Sequence, residues 1–267
     1  MKTIRSIYHF LQLIWRLNVI KTLYFNFKVL PFRVAAKVPI FIYGKTYIWD
    51  ISGSVCLPDK VSTGMIKIGY KWFDLWPVGF LPTQIQNRGK LVFDGNVIIS
   101  GGTNINVQHQ KGILKFGNYV CVGGGTIIKC LDHIEIGEGT RITGNCSVMD
   151  CNMHFVKNID TGVVANYKAP IFIGKNCWIN YGTVVGKGAV IPNYSISSRN
   201  AFISKDFSEY GENLFLVGSP CKPTSSRVQR IFSAELQKKY ADYYSNHDEQ
   251  LQLMPGIEEE IGDRECF

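Results

Sequence analysis

Residues 173–203 read IGKNCWINYGTVVGKGAVIPNYSISSRNAFI, and cut every six residues they fall into register. The first column holds Ile173, Ile179, Val185, Ile191, Ser197 and Ile203, aliphatic at all but one. The fourth holds Asn176, Gly182, Gly188, Tyr194 and Asn200, mostly types that tolerate a left-handed backbone. The fifth holds Cys177, Thr183, Ala189, Ser195 and Ala201, small every time. Each hexad is then one short strand and one turn. The branched residue points inward and the small one lets the turn close. Three hexads complete a coil of about 18 residues, and stacked coils bury a continuous apolar column.

The rhythm also runs earlier, as FGNYVC/VGGGTI from Phe116 and, after a two-residue slip, as IGEGTR/ITGNCS/VMDCNM from Ile136. Weaker echoes appear at VIISGG and MIKIGY. The competing fold is an antiparallel sandwich with frequent turns. No segment, however, shows a long polar/apolar alternation closed by a hairpin turn. The expected architecture is an all-β core, a parallel β-helix over residues 50–223. It is preceded by a basic segment, 1–49, and followed by a C-terminal segment, 224–267.

The phase set by Ile136, Ile142 and Val148 calls for an aliphatic residue at position 154 and delivers His154. The repeat resumes at Ile173, nineteen residues later, and FVKNIDTGVVANYKAP, 155–170, reads as a loop leaving the coil. Strand alternation would place Asp150, Asn152 and His154 on one face and Cys151 on the other. A broken repeat, an imidazole and an excursion at one place are what an active site on a regular scaffold looks like.

The hexads resemble those of the hexapeptide-repeat acyltransferases, whose coils wind left-handed, over roughly residues 65–223. The stretch ending VMDCNMH resembles a branch of that family carrying D-x-D-x-H. The resemblance implies that His154 is the general base, deprotonating an acceptor hydroxyl as it attacks an acetyl thioester. Asp150 takes the first acid position, and Asn152 departs from the second. An amide can orient an imidazole but cannot balance its charge. The resemblance also implies a homotrimer, with acetyl-CoA as donor in the groove between neighbouring coils. The acceptor would be a sugar hydroxyl, with lipid-linked glycans and surface polysaccharide (capsule, O-antigen or exopolysaccharide) in view. N-acetylation of an amino sugar and a non-catalytic β-helix scaffold remain as alternatives.

The family's closing segment resembles ISKDFSEYGENLFLVGSPCKP, 203–223, through Ser204, Lys205, Asp206, Gly218, Pro220 and Lys222. Lys205, Lys222 and Arg227 are candidates for the CoA phosphates. Gly182 and Asn200 are candidates for turn amides along the pantetheine arm, with Ser204 and Gly218 completing the donor set. No metal is expected. His109, His133 and His154 include no close pair, unlike a three-histidine zinc site.

Hydrophobic content of 46% and charged content of 19% are those of a globular protein. The net charge of +8 is uneven: Lys2, Arg5, Arg16, Lys21, Lys28, Arg33, Lys37 and Lys45 all precede Asp50, the first acid. Nucleic acid is the least supported partner, because no binding module is recognisable. The eight cysteines are scattered, without a C-x-x-C pair, and read as reduced, buried residues of a cytoplasmic protein. Residues 6–15 are too short to span a bilayer, and no cleavage-site pattern follows them. Ile4, Ile7, Tyr8, Leu11, Ile14 and Trp15 have helical spacing with basic flanks. The N-terminal segment is therefore expected either to cap the first coil or to contact an anionic membrane through residues 1–37. Helical spacing from Val228 to Tyr243 predicts one helix at about 225–245, packed on the β-helix or a neighbour, before an acidic tail beyond Pro255.

Overall fold

A computed structural model describes residues 16–71 and 81–247. The amphipathic stretch at 4–15 and the acidic tail lie outside the described residues. Three parallel sheets form the walls of a prism. The first runs from Ile40–Ile42 through Ile66–Tyr70, Val97–Ser100, Val120–Val122, Arg141–Ile142, Trp178–Ile179 and Ile196–Ser197 to Leu214–Val217. The second runs from Thr46–Ile48 through Ser147–Met149 to Phe202–Ile203, and the third from Ser54–Cys56 through His133–Ile136 to Val190–Ile191. The chain visits the three walls in turn, so sequence neighbours lie on different sheets and ladder partners lie one coil apart.

The three hexad columns are explained by position. Ile136 stacks on Ile173 and Ile173 on Ile191, while Ile142 stacks on Ile179, and Val148, Val185 and Ile203 form the third column. All are buried. The one polar member, Ser197, is satisfied inside: its Oγ accepts from the Asn180 amide at 2.8 Å and pairs with Thr183 Oγ1 at 2.9 Å. The small fifth-column residues are all buried in the corners. Each fourth-column residue has positive φ, from 52° at Asn176 to 77° at Gly188, Tyr194 included. At Gly182 the need for glycine is steric as well, since a Cβ would lie 2.1 Å from Asn200 Oδ1 in the next coil.

The first coil begins at Ile40, which pairs with Ile66, so residues 40–49 belong to the β-helix and not to the preceding segment. Helix α1, Val19–Val29, closes the end of the prism. Asn26 Nδ2 donates to the Ile40 carbonyl at 2.7 Å, and its Oδ1 accepts from the Ile40 amide at 3.1 Å. Thr22 Oγ1 accepts from the Ile42 amide at 3.0 Å, and the Asn18 amide donates to the Ile42 carbonyl at 2.8 Å. Two side chains and one backbone amide of this segment thus satisfy the ladder groups of an edge strand that the helix covers. A short α2, Phe32–Ala35, follows. At the other end Lys222–Arg227 returns antiparallel on Leu214–Val217. Helix α3, Ala234–Tyr244, starts later than expected, with Ser233 Oγ accepting from the Leu236 amide. None of its residues is buried; the anchor is Phe232, just before it.

Candidate active site

The site grows from one corner of the prism, where the second wall hands over to the third. The strand Ser147–Met149 ends at Met149, and Asp150 turns inward. Here the coil step is twenty residues, Lys129 stacking on Met149, so Asp150 lies over Cys130 and its carboxylate reaches the turn that follows. The Asp150 carboxylate accepts from the Leu131 amide at 2.8 and 3.1 Å and from the Asp132 amide at 2.7 Å. Burial pushes this carboxyl above the usual range, and the two amides, with the Cys130 thiol, pull the other way. Burial, and then the Asp150 charge, push the Cys130 thiol up in turn.

The chain then leaves the coil as a hairpin. Ala169 N donates to Asp150 O at 2.9 Å, and Asn152 N to Tyr167 O at 2.8 Å, which pinches the base. Val156–Lys157 pairs antiparallel with Val164–Ala165 further out, and the Asn158 carboxamide accepts from the Asp160 and Thr161 amides at the tip. Phe155 packs edge-on against Tyr167, with ring centroids 4.7 Å apart. Lys168 pairs with Asp132 at 3.0 Å, and Lys187 Nζ donates to the Asn166 carbonyl.

His154 stands exposed at the root of this arm, and among the described residues no hydrogen bond or ion pair holds its ring. The expected one-face alternation fails. Met153 adopts φ 65°, a left-handed turn within the would-be strand, so Asn152 and His154 face outward while Asp150 is buried. No hydrogen bond links Asp150 to His154, and the carboxylate is spent on the turn below. Cys151 is buried too, with Sγ 3.5 Å from Met153 Sδ.

The donor candidates do not converge within the chain. Ser204 and Lys205 follow Phe202–Ile203 and so share the His154 corner. Gly182 and Asn200 stack on the opposite edge of the same wall, joined there by Gly218, whose carbonyl accepts from Phe202 N at 3.0 Å. Lys222 is exposed on the return strand. Arg227 is placed differently from the expectation. Its guanidinium donates to the Glu212 and Tyr210 carbonyls at the third corner, beside a cleft of about 610 Å³ lined by Asn213, Val228 and Gln229. Those donors are unavailable to a phosphate. Among the described residues no cluster of three or more His, Cys, Asp or Glu could hold a metal. His133 instead faces Glu135 at 3.7 Å and packs on Phe172, and His109 accepts from the Lys111 amide. Sequence reasoning missed Asp132, Tyr167 and Lys168.

No family model matches the chain. A protein of Mycobacterium tuberculosis named as a probable acetyltransferase is 28% identical over 137 residues, covering 47% of this chain and 41% of the relative. The chain thus matches less than half the length of that relative. Among solved structures, the polysialic-acid-specific acetyltransferase NeuO aligns over 81% of this chain and 91% of its own, with a TM-score of 0.52 at 13% identity. The polysialic acid O-acetyltransferase OatWY aligns over 78% and 98%, with a TM-score of 0.39 at 15% identity. The wound topology, the hexad columns and the NeuO superposition agree: in fold, the chain is a left-handed parallel β-helix of hexapeptide repeats.

Proposed function

We propose that the protein is an acetyl-CoA-dependent O-acetyltransferase acting on a sugar hydroxyl in the assembly of a surface polysaccharide. The observation that carries this reading is the exposed imidazole of His154, bonded by none of the described residues and set where the repeat breaks and the hairpin departs. The acetyltransferase names of the similar proteins support the same class. A ring nitrogen of His154 takes the proton of the acceptor hydroxyl while its oxygen attacks the thioester carbonyl. The tetrahedral adduct then expels the CoA thiolate, which recovers the proton from the imidazolium. Alignment of the two substrates makes a covalent acetyl-enzyme unnecessary.

Asp150 acts as a positioning residue: it ties the turn from which His154 projects to the coil beneath. Ser204 and Lys205 share the catalytic corner, whereas Gly182, Asn200 and Gly218 occupy the far edge of the wall. A threefold assembly reconciles the two edges, because the corner of one protomer then faces the far edge of its neighbour across a shared groove. The test is thiol release from acetyl-CoA with a panel of hydroxyl and amino sugars. A positioned base contributes about 10²–10⁴ in rate, so His154→Ala should lose that much. Undiminished turnover in that variant overturns the mechanism, and release with amino sugars alone shifts the class to N-acetylation.

A further inference from the structure

We propose that the outer face of α1, together with the α1–α2 elbow, docks on an anionic lipid bilayer. The inner face of α1 is already used, since Thr22, Phe25 and Asn26 are buried against the first coil. The helix nevertheless carries a second apolar stripe. Ile20, Leu23, Tyr24 and Phe27, at one-turn spacing, are exposed, Ile20 by 80%, with Val19 beside them. Phe32 continues the stripe past the elbow, 76% exposed, its ring 5.8 Å from that of Phe27. Capping the prism does not require this second stripe.

Charge decides what covers it. Arg16, Lys21, Lys28, Arg33, Lys37 and Lys45 lie within and on either side of the two helices in sequence, and residues 16–49 contain no acid. The eight cations before Asp50 equal the whole net charge of +8, so the rest of the chain is balanced. A second copy would bring the same cations and be repelled, whereas an anionic surface is complementary. The exposed Tyr47 and Trp49 lie on the first coil, with Lys21 and Lys45 over the Tyr47 ring at 5.9 and 5.7 Å. Amphipathic aromatics beside basic residues suit the headgroup level. With 11 residues α1 lies along such a surface, and among the described residues no helix is long and apolar enough to cross a membrane. This reading is independent of acyl transfer.

The test is flotation of the full chain with vesicles of phosphatidylcholine, alone or mixed with phosphatidylglycerol, at low and high salt. The expected result is recovery with the anionic vesicles at low salt, and at least tenfold less with neutral vesicles or at high salt. Ile20→Ser/Phe27→Ser/Phe32→Ser should lose at least tenfold while keeping its unfolding midpoint and its acetyl-CoA turnover. Lys28→Gln/Arg33→Gln/Lys37→Gln, which leaves the apolar stripe intact, should flatten the salt dependence. Equal flotation of wild type and the serine variant overturns the proposal. So does absence of flotation, or a self-association of wild type that the serine variant abolishes.

Discussion

Two neighbouring residues at the corner divide their duties, and substitutions separate them. His154 is exposed and held by nothing described, so His154→Ala should shift stability by no more than about 0.5 kcal/mol while removing most turnover. Asp150→Asn should lower stability first, and turnover only as far as the turn that carries His154 loosens. Oδ2 accepts from both the Leu131 and Asp132 amides, but Oδ1 also takes the Leu131 amide at 2.8 Å, so a carboxamide keeping its oxygen at the shared position turns its N–H₂ onto that donor. A buried donor left facing a donor costs about 1–3 kcal/mol, read as a lower midpoint in denaturant. The pH dependence has a definite sign. Because burial raises the folded-state pKa of Asp150, the native state holds its proton more tightly than the unfolded chain. Its contribution to stability therefore grows as pH falls through the folded pKa toward the ordinary carboxylate value of 3.8. Asp150→Asn should remove that contribution from the acid limb. The candidate base was legible in the sequence because it stood in an aliphatic column. The fate of Asp150 was not, because it turns on a left-handed Met153 that no residue-type preference announces.

Among the elements, the late coils were legible and the early ones were not, and their step lengths say why. From Trp178 to Ile196 the coil advances by the ideal 18 residues. From Ile40 to Ile66 it takes 26, and from Ile66 to Val97 31, so the hexad phase is lost between strands that still stack. The early strands, such as Thr83–Asn87 and Ile113–Phe116, are also longer and alternate buried with partly exposed residues. Helix α1 does for the first coil what another strand would have done. Asn26→Ala should strand the Ile40 amide and carbonyl in a buried place, at about 1–3 kcal/mol for each group left unpaired. Equilibrium denaturation should register this as a lower midpoint. If Asn26→Ala unfolds at the wild-type midpoint, the edge is capped by other means.

At the scale of the molecule, the hairpin is the feature that the single chain leaves unexplained, and the proposed threefold assembly would account for it. It presents Phe155, Val156, Ile159, Val163 and Val164 to solvent, with Ile159 85% exposed, beside a corner that holds only part of the candidate donor set. An apolar arm of this kind is costly in isolation and natural when a neighbour receives it. A closed threefold ring satisfies every arm with the same contact and sets all three α1 helices at one end. Three lipid-facing patches in one plane would then bind by avidity, each weak alone. Ile159→Glu therefore tests association and chemistry together. The side chain touches little in its own protomer, so the fold should persist. Sedimentation should shift from the trimer toward the monomer, turnover should fall with it, and flotation should weaken although α1 is untouched. A variant that sediments and turns over like wild type would show that the arm serves its own protomer, and the shared groove would have to be abandoned.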